Sequence, residues 1–180
     1  FTNKAAREMR ERIASLLGES ADNRNFMPWM GTFHSICVRL LRQDGRAIGI
    51  SPNFIIYDED DKKSLIKQLF KQFSLTDKDI KPSAVIGMIS RAKNNLQTAD
   101  DFAASARGPL EQKVAEIYRA YEVESAKANA LDFDDLLIKT VEMLKRSDTV
   151  RRNLRQQFEH VLIDEYQDTN SAQDTLFKML

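Results

Sequence analysis

The sequence has one cysteine, two histidines, four prolines and six glycines in 180 residues, and Lys+Arg equals Asp+Glu at 27 each. The single Cys37 cannot close an internal disulfide. It lies in an apolar helical pattern and reads as a reduced, buried thiol of a cytosolic protein. So few scattered nitrogen and sulfur ligands argue against a zinc site. A net charge of zero supplies neither a global basic field for nucleic acid nor an acidic tail. No apolar run approaches the roughly 18 residues of a membrane span, and no basic segment leads into an apolar secretory core. Gly18, Gly31, Gly45, Gly49, Gly87 and Gly108 offer no Gly-x-x-x-x-Gly-Lys-Ser/Thr spacing, and none precedes a lysine. The phosphate cradle of a P-loop is therefore not in this sequence. An initiator methionine is missing too. The chain opens on Phe1-Thr2-Asn3-Lys4 and closes on Lys178-Met179-Leu180, both inside helical patterns, so both ends are expected to be internal to a longer chain.

What is present is mostly helical periodicity. Ala6, Met9, Ile13, Leu16 and Leu17 recur at three- and four-residue steps, which predicts a helix over 4–17 that stops at Gly18. Phe26 to Met30 carries Pro28 and admits a short strand only at an edge or at its first residue. Trp29 beside it reads as core. Gly31 to Ser35 is a loop, and Phe33, Ile36, Cys37, Leu40 and Leu41 line a second helix that ends near Gly45 to Gly49. Asn53 to Tyr57 is a brief extended segment. From about 58 to 158 no strand signal is evident. Asp58 to Asp61 reads as a solvated helix start. Leu65 to Phe73, Val85 to Ile89 after Pro82, and Val114 to Tyr121 after Gly108-Pro109 supply further helical stripes. Tyr118 and Tyr121 share one helix face. Lys67, Lys71, Lys78, Lys81, Arg91 and Lys93 read as a solvated surface. Asp132 suits a helix cap with Asp135 in the capping-box position, a better reading than a metal cluster with Asp134.

Near the end, His160-Val161-Leu162-Ile163 runs into Asp164-Glu165-Tyr166-Gln167-Asp168-Thr169-Asn170. Three apolar β-formers predict a buried strand of a parallel sheet, and ligand chemistry in open α/β sheets sits just beyond such strand ends. Asp164 suits a Mg²⁺ ion, which takes one or two carboxylates and keeps several waters, and Glu165 suits a base for an attacking water. On an extended chain adjacent side chains face opposite ways, so the two acids serve one site only if the chain turns there. By spacing alone, a charged loop after a buried strand fits as well.

The full string resembles motif II of the UvrD/PcrA/Rep family of superfamily 1 DNA helicases. Phe1-Thr2-Asn3-Lys4-Ala5-Ala6-Arg7-Glu8-Met9 resembles its motif Ia, and Gly31-Thr32-Phe33-His34-Ser35 its motif Ib. Leu131-Asp132-Phe133-Asp134-Asp135-Leu136-Leu137 resembles the segment leading back into the first RecA-like domain. The resemblance covers residues 1–180. It implies an α/β but predominantly helical fold: a partial RecA-like P-loop NTPase domain whose P-loop strand is missing, with an all-helical inserted subdomain. The implied division is 1–51 for the first part of domain 1A, 52–130 for a 1B-like insertion and 131–180 for the second part of 1A. The P-loop is expected upstream of residue 1, so no nucleotide-cradling residue is expected within the chain.

The implied activity is that of an ATP-dependent, bacterial-type cytoplasmic helicase of DNA repair or replication. It would move 3′→5′ on single-stranded DNA and unwind at a single-strand/duplex junction, with ATP and Mg²⁺ as cofactors and no membrane. Asp164 would hold Mg²⁺, Glu165 would act as base, and Gln167 and Asp168 would sense the γ-phosphate. Phe1, Thr2, Asn3, Lys4, Thr32, Phe33, His34 and Ser35 would line the DNA track. A local surplus of three basic side chains over residues 1–50 agrees with that. The chain alone is expected to hydrolyse no ATP, and a truncated sheet edge is expected to favour self-association. A non-catalytic DNA-binding or interaction module and a subunit of a helicase–nuclease complex are the competing readings.

Overall fold

Capping signals in the sequence set most helix boundaries in the computed structural model, which describes residues 2–23, 25–76 and 78–180. Thr2 caps α1 (Asn3–Leu17), its hydroxyl accepting from the Ala5 amide at 3.1 Å, and Gly18 ends the helix in the left-handed region at φ 68°. Thr32 caps α2 (Phe33–Asp44), which continues into a 3-10 turn at Gly45–Ile48. Asp58 and Asp61 form a reciprocal capping box on α3 (Glu59–Gln72). Helices α4 (Pro82–Asn94) and α6 (Pro109–Lys127) open on prolines, whose missing N–H costs nothing in a first turn. Between them lies α5 (Ala99–Ser105), boxed by Thr98 and Asp101 and not revealed by apolar periodicity. Then come α7 (Phe133–Arg146), α8 (Asp148–Gln157) and α9 (Ser171–Met179). No described helix is long and apolar enough to cross a membrane.

Strands among the described residues are two, each of three residues. β1 (Ile55–Tyr57) pairs in parallel with β2 (Ala130–Asp132), Ile55 opposite Ala130 and Tyr57 opposite Asp132. The fold is thus mostly helical with a small parallel sheet, and the sheet joins the two ends of the α3–α6 stretch. Three sequence expectations are corrected here. β2 falls where no strand was expected, because three residues are too few for alternation to show. Phe26 to Met30 forms turns instead of an edge strand. The Arg10 guanidinium reaches from α1 and donates to the carbonyls of Ala21, Asn23, Phe26 and Met27, giving them a partner other than a strand. Val161 to Ile163 is also not a strand, and Leu162 is 94% exposed. An apolar run names residues suited to a buried strand, but a strand needs ladder partners, and no described residue pairs with this one.

Two apolar clusters fill the interior. One joins Cys37, Leu40 and Leu41 of α2 to Leu136, Leu137, Val141 and Leu144 of α7, with Leu154 and Leu176. The other joins Ile66, Leu69 and Phe70 of α3 to Val85 of α4 and to Val114, Ile117 and Tyr118 of α6. Trp29 packs on the first cluster, edge-on to Phe158 at 5.0 Å and under the Arg39 guanidinium at 4.0 Å, as a core residue should. α7 packs against α2, α4, α8 and α9, so it is the helix that most of the structure shares.

The start of α7 is held by a buried ion cluster. Lys93 of α4 is 1% exposed. Its Nζ lies 2.6 Å from Asp135 Oδ1, 2.9 Å from Asp132 Oδ2 and 3.5 Å from Glu122. Tyr121 donates its hydroxyl to Asp132 Oδ2 at 2.8 Å, and the Asp132 and Asp135 backbone amides each donate to the other's carboxylate. Lys93 is therefore not a surface cation. Lys62 likewise turns inward, toward Glu59 at 2.6 Å and Asp134 at 3.7 Å, so the α3 start is only partly solvated. A lysine's sequence context does not reveal which face of its helix meets a partner helix.

The cluster and the core thiol make two predictions. Burial pushes the Cys37 thiol up to about 12. Cys37 is expected to resist a disulfide exchange reagent in the folded chain and to react fully in urea; equal rates in both would contradict its burial. For Asp132, burial is outweighed by the Lys93 ammonium, and its carboxyl stays below the usual range. Its contribution is present above the unfolded value and lost as pH falls through the depressed one. For Asp135, burial dominates and pushes the carboxyl up to about 7, so its contribution is present at low pH and lost as pH rises. Lys93→Met leaves two buried carboxyls without a counter-charge. It should cost about 3–5 kcal/mol at about pH 8 and less near about pH 5, where both carboxyls can take up protons. Urea unfolding at the two pH values checks this; a loss that ignores pH would contradict it.

Candidate functional site

The acidic segment is an exposed turn fastened to α9. Glu165 sits in the left-handed region at φ 51° and ψ 42°, and a 3-10 turn over Tyr166–Asp168 follows. This residue ends the extended run at the position the shared-site reading requires, at a backbone cost of about 1 kcal/mol. Gln167 Nε2 donates to Glu165 Oε2, so the amide orients that carboxylate. The Asp168 amide donates to the Glu165 carbonyl at 3.0 Å, and the Thr169 hydroxyl to the Tyr166 carbonyl at 2.8 Å. Tyr166 donates to Asp174 and packs edge-on to Phe177 at 5.7 Å. Asn170 caps α9 in a reciprocal box with Gln173.

Asp164 and Glu165 are both exposed, and Asp164 has no hydrogen bond or ion pair among the described residues. No group of three or more His, Cys, Asp or Glu side chains among the described residues could hold a metal ion by themselves. The donors present, one or two adjacent water-facing carboxylates, fit a Mg²⁺ that keeps water or phosphate as its other ligands. They do not fit an all-protein cage.

The second set of expected site residues gathers at two helix starts. Thr2, Asn3 and Lys4 are exposed at the first turn of α1. Thr32 caps α2 through the Ser35 amide at 3.3 Å, and the Ser35 hydroxyl donates back to the Thr32 carbonyl at 2.8 Å. The Thr32 hydroxyl also donates to Asn3 Oδ1 at 3.4 Å, which brings the two N-termini side by side. Two adjacent helix starts present unpaired N–H groups and positive dipole ends to an anion such as a phosphate. His34 is half-buried, its ring edge-on to Phe133 at 5.8 Å. Burial outweighs the pull of Asp134 and lowers its pKa, so near neutral pH it offers a neutral ring, not a cation. Phe33 is half-buried against the first core cluster. Phe1, the expected base-stacking face, lies outside the described residues, as does Arg24 of the basic surplus.

The model of the UvrD/REP helicase N-terminal domain matches residues 1–180. The chain belongs to the UvrD/REP helicase family. It is 43% identical over 180 residues to an ATP-dependent DNA helicase PcrA of Leuconostoc citreum. It is 44% identical to the PcrA of Staphylococcus aureus and 43% to that of Staphylococcus epidermidis, again over 180 residues. Each match takes in 100% of this chain and 24% of the relative, so the chain spans about a quarter of the length of these curated relatives.

Within this family member, two residues near the acidic turn escaped sequence reasoning. Tyr166 fastens the turn to α9, and Asn94, on α4, reaches Asn170 from 76 positions away. Tyr166 to Asp174 is a long step for a helical signal, and nothing local marks Asn94. Thr32→Ala should lower the chain's stability by about 1 kcal/mol through the lost cap. Chemical denaturation measures it; an unchanged midpoint would show that the cap of α2 carries no weight.

Proposed function

We propose that this chain is part of an ATP-dependent DNA helicase that couples ATP hydrolysis to 3′→5′ movement along single-stranded DNA and to duplex opening at a junction. The match of the helicase N-terminal domain over residues 1–180 carries the proposal. The relatives' activity, ATP-dependent DNA helicase, agrees with it. The two apolar clusters support a division into 1–51 and 131–180 of a RecA-like domain with 52–130 inserted between, since the buried residues of one come almost wholly from the two ends of the chain and those of the other from 66–121.

In this reading Asp164 holds Mg²⁺ with ATP. The ion, when bound, neutralises charge on the phosphate oxygens. Glu165 takes the proton of the attacking water, and its carboxylate is oriented by Gln167. Gln167 and Asp168 follow it within one tight turn and would sense the γ-phosphate. Thr2, Asn3, Lys4, Thr32, His34 and Ser35 hold strand phosphates at the paired helix starts, with Phe33 packed behind them and Phe1 stacking on a base.

The test uses the full-length protein that contains this chain. Glu165→Gln should lower kcat for DNA-stimulated ATP hydrolysis by about 10²–10⁴-fold while ATP binding persists. An unchanged kcat would remove Glu165 from the chemistry. The isolated chain should show no Mg²⁺-dependent hydrolysis; a rate abolished by Glu165→Gln would contradict that.

A further inference from the structure

The acidic turn has a second attachment, independent of Tyr166. Asn94, the last residue of α4, sits between three elements. Its Nδ2 donates to Asp134 Oδ1 of α7 at 2.9 Å and to the Ser90 carbonyl at 2.9 Å. Its Oδ1 accepts from Asn170 Nδ2 at 2.7 Å. Both ends of one amide are thus used, and the contacts fix which end faces which partner. Asn170 closes the acidic segment and caps α9, so its side-chain position is coupled to the turn that begins at Glu165. Lys93, the preceding residue, is locked between Asp132 and Asp135, so α4 cannot slide along α7 to accommodate a shift of Asn170.

We propose that Asn94 is a positioning residue for the acidic turn: through Asn170 it sets where Glu165 and Asp168 stand, and it transmits to them any displacement of α4. The proposal rests on the helicase reading above. α4 lies within the 58–129 excursion between the paired strands, and the other attachment described, Tyr166 to Asp174, lies wholly within the local segment. Asn94 is therefore a point at which the helical excursion is hydrogen-bonded to the residue that closes the carboxylate-bearing segment. A misplacement of a catalytic group by a fraction of an ångström costs rate more than substrate binding.

The test again takes the full-length protein. Asn94→Ala should lower kcat for DNA-stimulated ATP hydrolysis about 3- to 10-fold with KM for ATP changed less than about 2-fold. Amide hydrogen exchange over residues 165–170 should rise, with that of 55–57 and 130–132 unchanged. Asn94→Asp should be worse, because a carboxylate then faces Asp134. Adding Asp134→Asn to it restores one donor and one acceptor across the same gap and should recover most of the lost kcat. An unchanged kcat in Asn94→Ala overturns the proposal. So does a loss shared by the 55–57 and 130–132 amides, which marks general unfolding, and so does a double variant no better than Asn94→Asp. A wild-type protein without DNA-stimulated hydrolysis would overturn the helicase reading itself, and this inference with it, an outcome distinct from the others.

Discussion

Lys93 is buried with two aspartates, and the arrangement of this chain turns on that contact. The two acids come from the end of β2 and the first turn of α7, and the lysine comes from the end of α4. Removing an ammonium and two carboxylates from water costs several kcal/mol per ion, offset only where geometry and extra hydrogen bonds are good. Here they are: Tyr121, both backbone amides of the capping box and Glu122 complete the set. An apolar replacement could stabilise such a junction as well. A charged one tolerates a single register between α4 and α7, because a one-residue slip would strand a buried charge.

That register propagates. α7 packs on α2, which carries Thr32 and Ser35 at its start, and on α9, which follows the acidic turn. One helix therefore lies between the two groups of candidate site residues. Its apolar face (Leu136, Leu137, Val141, Leu144) supplies the packing, and its polar start supplies the alignment. Neighbouring Asn94 uses the same alignment to reach Asn170. The turn itself is exposed and strained at Glu165, which suits the role proposed for its carboxylates.

Helix caps and stripes were legible from local chemistry. Asp58 and Asp132 each signalled a start that the structure contains, because a cap needs only residues within three positions. Gly18 stopped its helix for the same local reason. Failures came where a partner distant in sequence decides. Val161 to Ile163 had the composition of a buried strand and no ladder partner among the described residues. Phe26 to Met30 had its carbonyls taken by Arg10. β2 formed from three residues because β1 lay beside it. Lys93 read as a surface cation and points inward.

The sequence by itself determined the family, since the motif strings and their order survive without any coordinates, and it determined most helix boundaries and the acidic residues available for chemistry. The tertiary structure alone decided which charges are buried, which extended segments pair, and that Asn94 meets Asn170. The physical reason is range. Capping and amphipathic periodicity act over one to four residues and leave a local record. Burial of an ion and pairing of a strand depend on what arrives from tens of residues away, and no local pattern encodes that arrival.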